Sequence, residues 1–374
     1  MKRILIATHF FYPEITPRAF RATELANELS KRGYKVDVLI GSSQKIVEDY
    51  TSEKCDEMKD SFVLDKGNKK KPSKIKLLAS KFIVSFFGET NVVKKKSLFL
   101  DLLEISKYDV IISIGPPFYT HYHISKLINK TEWIGKSITD WGDPFYRSGD
   151  AAFMFPHMRF VQKRVLNTFN FTTIPVEEAV SYYKQFTEDE KIKIIPQGFN
   201  FDVKIDENMK KNVEKSMNSI NRPLFIYAGA FYKDVRDPQK ILEYLCTVKE
   251  DFVFFIFSDM SGDIYEEILI PFKRKLKDKL VLMKKVPREE LIEYLKMSDF
   301  VLNIENKSEN QVPSKLIDLS LSGKPILSVN PHFLDENKFN DFLKGDYTKS
   351  LELDLSKYDI KNVTNQFIEL IEGE

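Results

Sequence analysis

Cysteine is scarce in this 374-residue chain: there are two, Cys55 and Cys246, far apart in sequence. That excludes a disulfide framework and a cysteine-based zinc site, and it fits a reduced, cytoplasmic setting. Long hydrophobic runs are missing as well. No stretch approaches the roughly 20 apolar residues that cross a bilayer, and Ile4-Leu5-Ile6-Ala7 ends at Thr8-His9, too soon for a signal-peptide core. The expectation is a soluble protein, cytoplasmic and at most peripheral at the cytoplasmic membrane face. An excess of either charge is lacking: 57 Lys+Arg face 55 Asp+Glu, a net charge of +2. Nothing in that balance attracts the whole molecule to nucleic acid, so no nucleic-acid partner is expected. Glycine-rich phosphate loops of the G-x4-G-K-[ST] and G-x-G-x-x-G types are absent, as are H-E-x-x-H, C-x-x-C and a D-x-D in a suitable loop. Chemistry without a metal or cofactor is therefore expected.

What is present is an ordinary globular composition, 43% hydrophobic and 30% charged, in a chain longer than one core usually supports. Short apolar runs alternate with longer amphipathic ones, the pattern of βαβ units and parallel sheets. Strands are expected at Arg3–Thr8, Lys35–Ile40, residues 109–114 and 133–139, and Phe171–Ile174, with helices over residues 17–32 and 121–128. Pro196-Gln197-Gly198-Phe199-Asn200 breaks the pattern. After a polar stretch from residue 202 to 221 it restarts, with strands at Leu224–Ala228, residues 252–257, Leu280–Lys284, Phe300–Ile304 and residues 325–329. The fold class is α/β: two Rossmann-like, doubly wound domains facing a cleft. The first spans residues 1–200, rejoined by a C-terminal helix at 357–374, and the second spans 201–356.

Between residues 56 and 107 the strand signals fade. Seven lysines occur from Lys66 to Lys81 without an acidic residue, then Phe82-Ile83-Val84-Ser85-Phe86-Phe87, then Lys94-Lys95-Lys96. Cations beside an aromatic segment suit an anionic membrane face or a lipid-linked acceptor, so the Lys66–Lys96 region is a candidate peripheral membrane contact. A solvated lysine loop ahead of a core helix reads the same residues equally simply.

The densest functional signal is P-S-K-L-I-D-L-S-L-S-G-K-P from Pro313 to Pro325. A helix opening at Ser314 has a good capping residue, and its free N–H groups and dipole suit a phosphate. Lys315 adds a cation. Asp318, one turn further on, is placed to accept hydrogen bonds from ribose hydroxyls. The same three residues also make a plain cap, a solvated lysine and a first-turn acid.

This stretch resembles the P-S-K-L-x-E…G-k-P-i-l signature of GT-B glycosyltransferases, family 4 (group 1). H-F-F-Y-P-E followed by R-A-F-R-A-T-E-L-A-N-E-L-S-K-R-G-Y-K-V-D-V-L is similar to that family's first strand, loop and helix. I-I-P-Q-G-F-N resembles its domain break, and Y-A-G-A-F-Y-K-D-V-R-D-P its second-domain opening. The resemblance covers almost the whole chain in the expected order.

The resemblance implies a hexosyltransferase that moves a sugar from a nucleotide-diphosphate sugar to a glycan or lipid-linked acceptor. It further implies retained configuration, no metal, and a role in cell-envelope or capsule polysaccharide synthesis. Asp318 takes the donor-site acid, with Asn310 where the family's E-x7-E has its first acid. Lys233 and Arg236 fall at the diphosphate clamp, Ser314 and Lys315 at the helix end. Asp143, in D-W-G-D-P-F, and His121 are the candidate catalytic residues, with His123 beside the latter. Glu14, Thr16 and Arg18 form the acceptor or phosphate loop, where Ile15-Thr16-Pro17 replaces glycines. A non-hydrolysing nucleotide-sugar epimerase and a non-catalytic nucleotide-sugar-binding subunit are the alternatives; Asn310 and the missing glycines favour the latter.

Overall fold

The structure is a computed structural model, and it describes residues 2–14, 16–54, 82–87, 103–147, 154–202, 206–217, 219–233, 235–305 and 314–373. The chain divides into two compact units, Met1–Asn200 with Ser356–Glu374, and Phe201–Leu355.

In the first unit the strands are β1 (Arg3–Thr8), β2 (Lys35–Ile40), β3 (Lys45–Val47), β4 (Val110–Ile114), β5 (Lys136–Asp140), β6 (Phe171–Ile174) and β7 (Ile192–Ile194). Their order is β3-β2-β1-β4-β5-β6-β7. All pairs are parallel except β2 with β3. Consecutive apolar positions such as Ile4-Leu5-Ile6-Ala7 are what a strand covered on both faces requires. One face packs the helix Pro17–Lys31 and the C-terminal helix Ile360–Glu372 through Leu25, Leu29, Val363 and Phe367. The other packs Phe118–Thr131 and His157–Thr168 through Ile124, Leu127, Val165 and Leu166. Where the chain leaves and re-enters this unit, Phe199 N donates to Tyr358 O at 2.8 Å and Ile360 N to Phe199 O at 3.0 Å. A Cβ on Gly198 would lie 2.7 Å from Ile360 Cδ1 and 3.2 Å from Val363 Cβ, so a larger residue here would push the Ile360 side chain aside.

The second unit has β8 (Leu224–Ala228), β9 (Val253–Ser258), β10 (Leu280–Lys284), β11 (Phe300–Ile304) and β12 (Ile326–Val329), all parallel, in the order β10-β9-β8-β11-β12. Its core is built on phenylalanine: Phe225 and Phe300 stack with ring centroids 4.8 Å apart, and Phe339 meets Phe225 edge-on at 5.6 Å. In both units the chain reverses direction across the sheet, between β1 and β4 and between β8 and β11, and such switch points are where doubly wound sheets bind ligands.

Several elements depart from the sequence expectation. The polar stretch 202–221 contains the helix Glu207–Met217, whose buried stripe is only Val213 and Met217, four residues apart. The helices His157–Thr168 and Glu336–Leu343 were not anticipated. The strand expected from residue 133 starts at Lys136, because Glu132 takes a left-handed φ of 50° and Trp133 Nε1 turns to donate to Tyr108 O at 2.9 Å. A π-helical turn, Tyr265–Leu269, runs into the helix Ile270–Leu276, where Pro271 brings no N–H to the ladder. No described helix is long and apolar enough to cross a membrane.

Candidate functional site

In the second unit a small pocket opens at the carboxyl ends of β8 and β11, lined by Tyr227, Arg236, Asn303, Ile304 and Leu319 among others. Arg236 is held there by its backbone. Arg236 N donates to Tyr232 O at 2.9 Å, Tyr232 N donates to Arg236 O at 3.3 Å, and the guanidinium lies 5.5 Å from the centre of the Tyr232 ring. It also hydrogen-bonds Tyr227, whose phenol burial pushes up to about 12 against the pull of Arg236. Lys233, on the same turn, is exposed. A planar, permanently charged group lining such a pocket is suited to gripping two anionic oxygens at once.

The helix Ser314–Leu321 follows β11, and Leu319 reaches the pocket. Asp318 is not among the residues lining it; its Oδ1 accepts from Arg288 Nε at 2.7 Å, with both side chains about a quarter exposed. Burial raises the Asp318 carboxyl above its ordinary value, and the Arg288 charge and hydrogen bond work against that rise. Asn310, and the side chains of Ser314 and Lys315, lie outside the described residues.

In the first unit the carboxyl end of β5 carries a buried charge cluster. Asp140, 1% exposed, accepts from Arg21 Nη2 at 2.8 Å, Arg21 Nε at 3.1 Å, Arg18 Nη1 at 3.3 Å and Thr173 Oγ1 at 2.6 Å. Burial alone would raise this carboxyl, but Arg21, Arg18 and Thr173 together hold it below the usual range. Arg18 packs flat on Gly142, where a Cβ would stand 2.1 Å from Nη2. Asp143 is exposed just beyond, close enough for its charge to act on Arg18. Thr16 caps the helix Pro17–Lys31, its Oγ1 accepting from Ala19 N at 3.1 Å, and Glu14 closes the turn before it through its N–H to Phe11 O at 3.0 Å.

His121 is fully buried under the Gly115-Pro116-Pro117 turn. Ser113 Oγ and Thr139 Oγ1 lie 2.8 and 3.0 Å from Nδ1. In the tautomer where Nδ1 accepts from these hydroxyls, the proton sits on Nε2. That Nε2 has no hydrogen-bond partner among the described residues, and a Cβ on Gly115 would lie 2.3 Å from it. Burial pulls the imidazole down to about 3, so the ring is neutral at pH 7. His123, two residues on, is half-buried against Tyr119 and Tyr122, and burial and Lys126 lower it too.

The structure thus gathers Arg236 with Tyr227 in one unit, and Arg18, Asp143 and His121 near the end of β5 in the other. Sequence reasoning missed Asp140, Arg21 and Arg288. The first two were within reach: Arg18 and Arg21 share a helix face at i,i+3, and Asp140 ends an apolar strand, where an ionised group needs a partner. Arg288 offered no such pattern.

No protein-family model matches the sequence, and no curated protein matches it. Solved structures do. HepE from Anabaena, determined in complex with UDP, superposes with a TM-score of 0.59 at 11% identity over 100% of each chain. Sucrose-phosphate synthase from Thermosynechococcus elongatus gives 0.61 at 12% identity, over 100% of this chain and 98% of the other. UDP-GlcNAc 2-epimerase from Neisseria meningitidis, bound to UDP-GlcNAc, gives 0.57 at 16% over 100% of both. At these identities the likeness is one of fold, and the fold is GT-B, with two Rossmann-like domains.

Proposed function

We propose that this chain is a metal-independent glycosyltransferase of the family 4 type. It would hold a nucleotide-diphosphate sugar in the unit Phe201–Leu355 and transfer the sugar, with retained configuration, to a glycan or lipid-linked acceptor in envelope polysaccharide synthesis. The observation that carries this reading is the pocket at the switch point between β8 and β11 with Arg236 in its lining. Structural neighbours hold UDP or a UDP-sugar: HepE with UDP and with UDP-glucose, and the Neisseria epimerase with UDP-GlcNAc.

Departure of a nucleoside diphosphate leaves negative charge that must be met as it develops. Arg236 supplies two parallel donors for it, Lys233 a mobile point charge, and Ser314 and Lys315 the amide end of a helix. Asp318 would take the ribose hydroxyls. His121, neutral with its proton on Nε2, is suited to donate a hydrogen bond to the transferred sugar rather than to act as a base. Asp143, exposed beside Arg18, is the candidate to orient the acceptor hydroxyl.

The test is a thermal-shift panel of UDP-glucose, UDP-galactose, UDP-GlcNAc and GDP-mannose, repeated on Arg236→Ala. A ligand that binds only the folded state raises the melting temperature. One sugar nucleotide should do so in the parent and fail in the variant; no response across the panel sinks the reading. Because the same fold carries a UDP-GlcNAc 2-epimerase, the responding donor is then incubated alone. Rapid conversion to an epimer without acceptor would transfer the assignment to that activity.

A further inference from the structure

The described helical segment at residues 82–87 and the outer face of the helix His157–Thr168 meet in an aromatic cluster that the donor chemistry does not use. Phe82 and Phe86 stack at 6.2 Å, Phe155 meets both edge-on at 6.3 and 5.7 Å, and the His157 ring lies 4.6 Å from Phe86. Two hydrogen bonds tie the segments together: Phe155 N donates to Ser85 O at 3.0 Å and His157 Nε2 to Phe86 O at 2.8 Å. Rings packed this way normally leave water, yet Phe82 is 61% exposed and Phe160, one turn along from His157, is 71% exposed. Phe160 sits at the centre of its helix's solvent face, with Lys163 and Arg164 one turn on to either side and Arg159 at the edge. That helix, HMRFVQKRVLNT, contains no acidic residue, and among the described residues none of its three cations is in an ion pair.

We propose that this face docks on an anionic phospholipid surface. Phe82 and Phe160 would enter the boundary between headgroups and acyl chains, and Arg159, Lys163 and Arg164 would meet lipid phosphates. Aromatic rings at the interfacial level beside basic side chains that make no ion pair among the described residues match such a surface in both polarity and charge. A soluble protein partner complementary to the rings alone would leave three cations unanswered. The proposal stands apart from the donor reading, because vesicle binding needs no turnover; if both hold, they bring a lipid-linked acceptor and the donor to one molecule.

The experiment is flotation of the full chain with vesicles of phosphatidylcholine alone and of phosphatidylcholine with 40% phosphatidylglycerol, at low and high salt, alongside Phe82→Ser/Phe160→Ser and Lys163→Glu/Arg164→Glu. Melting temperature serves as the folding control for each variant, and sugar-nucleotide response as a separate readout. Binding to the anionic vesicles only, weakened by salt and lowered at least ~10-fold by the charge reversals, is expected, since each basic residue near such a surface contributes about 1 kcal/mol. The Phe pair should lose binding even at low salt. Equal binding to both vesicle types, binding unchanged in folded variants, or no binding at all would overturn the proposal. So would a concentration-dependent dimer that the Phe82→Ser/Phe160→Ser variant abolishes, since a second copy would then be the occupant.

Discussion

Arg288 Nε stands 2.7 Å from Asp318 Oδ1, so the carboxylate expected to greet a ribose already has a partner inside the protein. The pair is informative because its two effects oppose. Burial favours the neutral acid and raises the carboxyl, while the Arg288 charge and hydrogen bond pull towards the ionised form.

If Asp318 holds the ribose, Asp318→Ala should weaken donor binding by roughly 10- to 100-fold, the loss of hydrogen bonds to a charged acceptor, and Asp318→Glu should retain most of it. Arg288→Gln should act differently. Without its cation the carboxyl rises further, so on acidification donor affinity should begin to fall at a higher pH than in the parent. Calorimetric titration of the responding sugar nucleotide at several pH values reads both effects. A dissociation constant indifferent to residue 318 would remove Asp318 from the nucleotide site.

Asp140 is a stronger case, because its partners have no solvent to fall back on. Replacing it with Asn leaves Arg18 and Arg21 uncompensated beneath β5, and breaking a buried pair from one side costs on the order of 3–5 kcal/mol. The melting temperature should drop sharply, with Thr173→Val much milder. The pH dependence has a definite sign. Asp140 is depressed in the folded state, so its stabilisation is complete above its unfolded value, near 3.8, and is lost as pH falls through the folded value. Asp140→Asn should show a shallower loss of stability in that acid range than the parent does.

The architecture was readable wherever burial imposed a pattern. The runs within Arg3–Thr8, Leu224–Ala228 and Phe300–Ile304 are largely apolar on successive positions because each strand is covered on both faces, and the structure has the same bounds for these and for Lys35–Ile40. Elements that bury little left little trace: Glu207–Met217 commits two residues to the core, and β3 is three residues of edge strand. The candidate sites were legible as motifs but not as geometry. Sequence singled out Asp143 in D-W-G-D-P-F, whereas the buried, doubly paired acid is Asp140, and only three-dimensional packing distinguishes the acid that ends the strand from the one past it. Spacing within one helix cannot reveal that Asp318 faces Arg288, thirty positions earlier, because that contact is made between helices.

Gly142 and Arg18 should behave as a coupled pair. A methyl at 142 would stand 2.1 Å from Arg18 Nη2 and 2.3 Å from Cζ and Nε, so Gly142→Ala must push the guanidinium off its seat and away from Asp140. The side chain is flexible enough to move, so the variant should fold with lower stability. In a double-mutant cycle with Arg18→Ala, the glycine substitution should cost far less once the arginine is gone. Additive effects in denaturant unfolding would show that Arg18 does not occupy that place.

His121 offers a test confined to a different pH window. Its folded value is about 3 against an ordinary 6.5, because full burial disfavours the imidazolium. Between those values the unfolded chain takes up a proton that the folded one refuses, so stability falls as pH drops below about 6.5. The slope from this one residue approaches about 1.4 kcal/mol per pH unit and flattens below the folded value. His123 is lowered too and adds to the slope, so the comparison must be between variants rather than with a calculated curve. His121→Asn keeps an acceptor for Ser113 and Thr139 but cannot ionise. Its unfolding free energy, followed by denaturant titration from pH 4 to pH 7, should run nearer to horizontal than the parent's. The substitution's own packing cost shifts the whole line without tilting it, so only the slope is diagnostic. Parallel lines for parent and variant would mean that the imidazole titrates normally and is open to water, and a buried Nε2–H waiting for a partner would then be excluded.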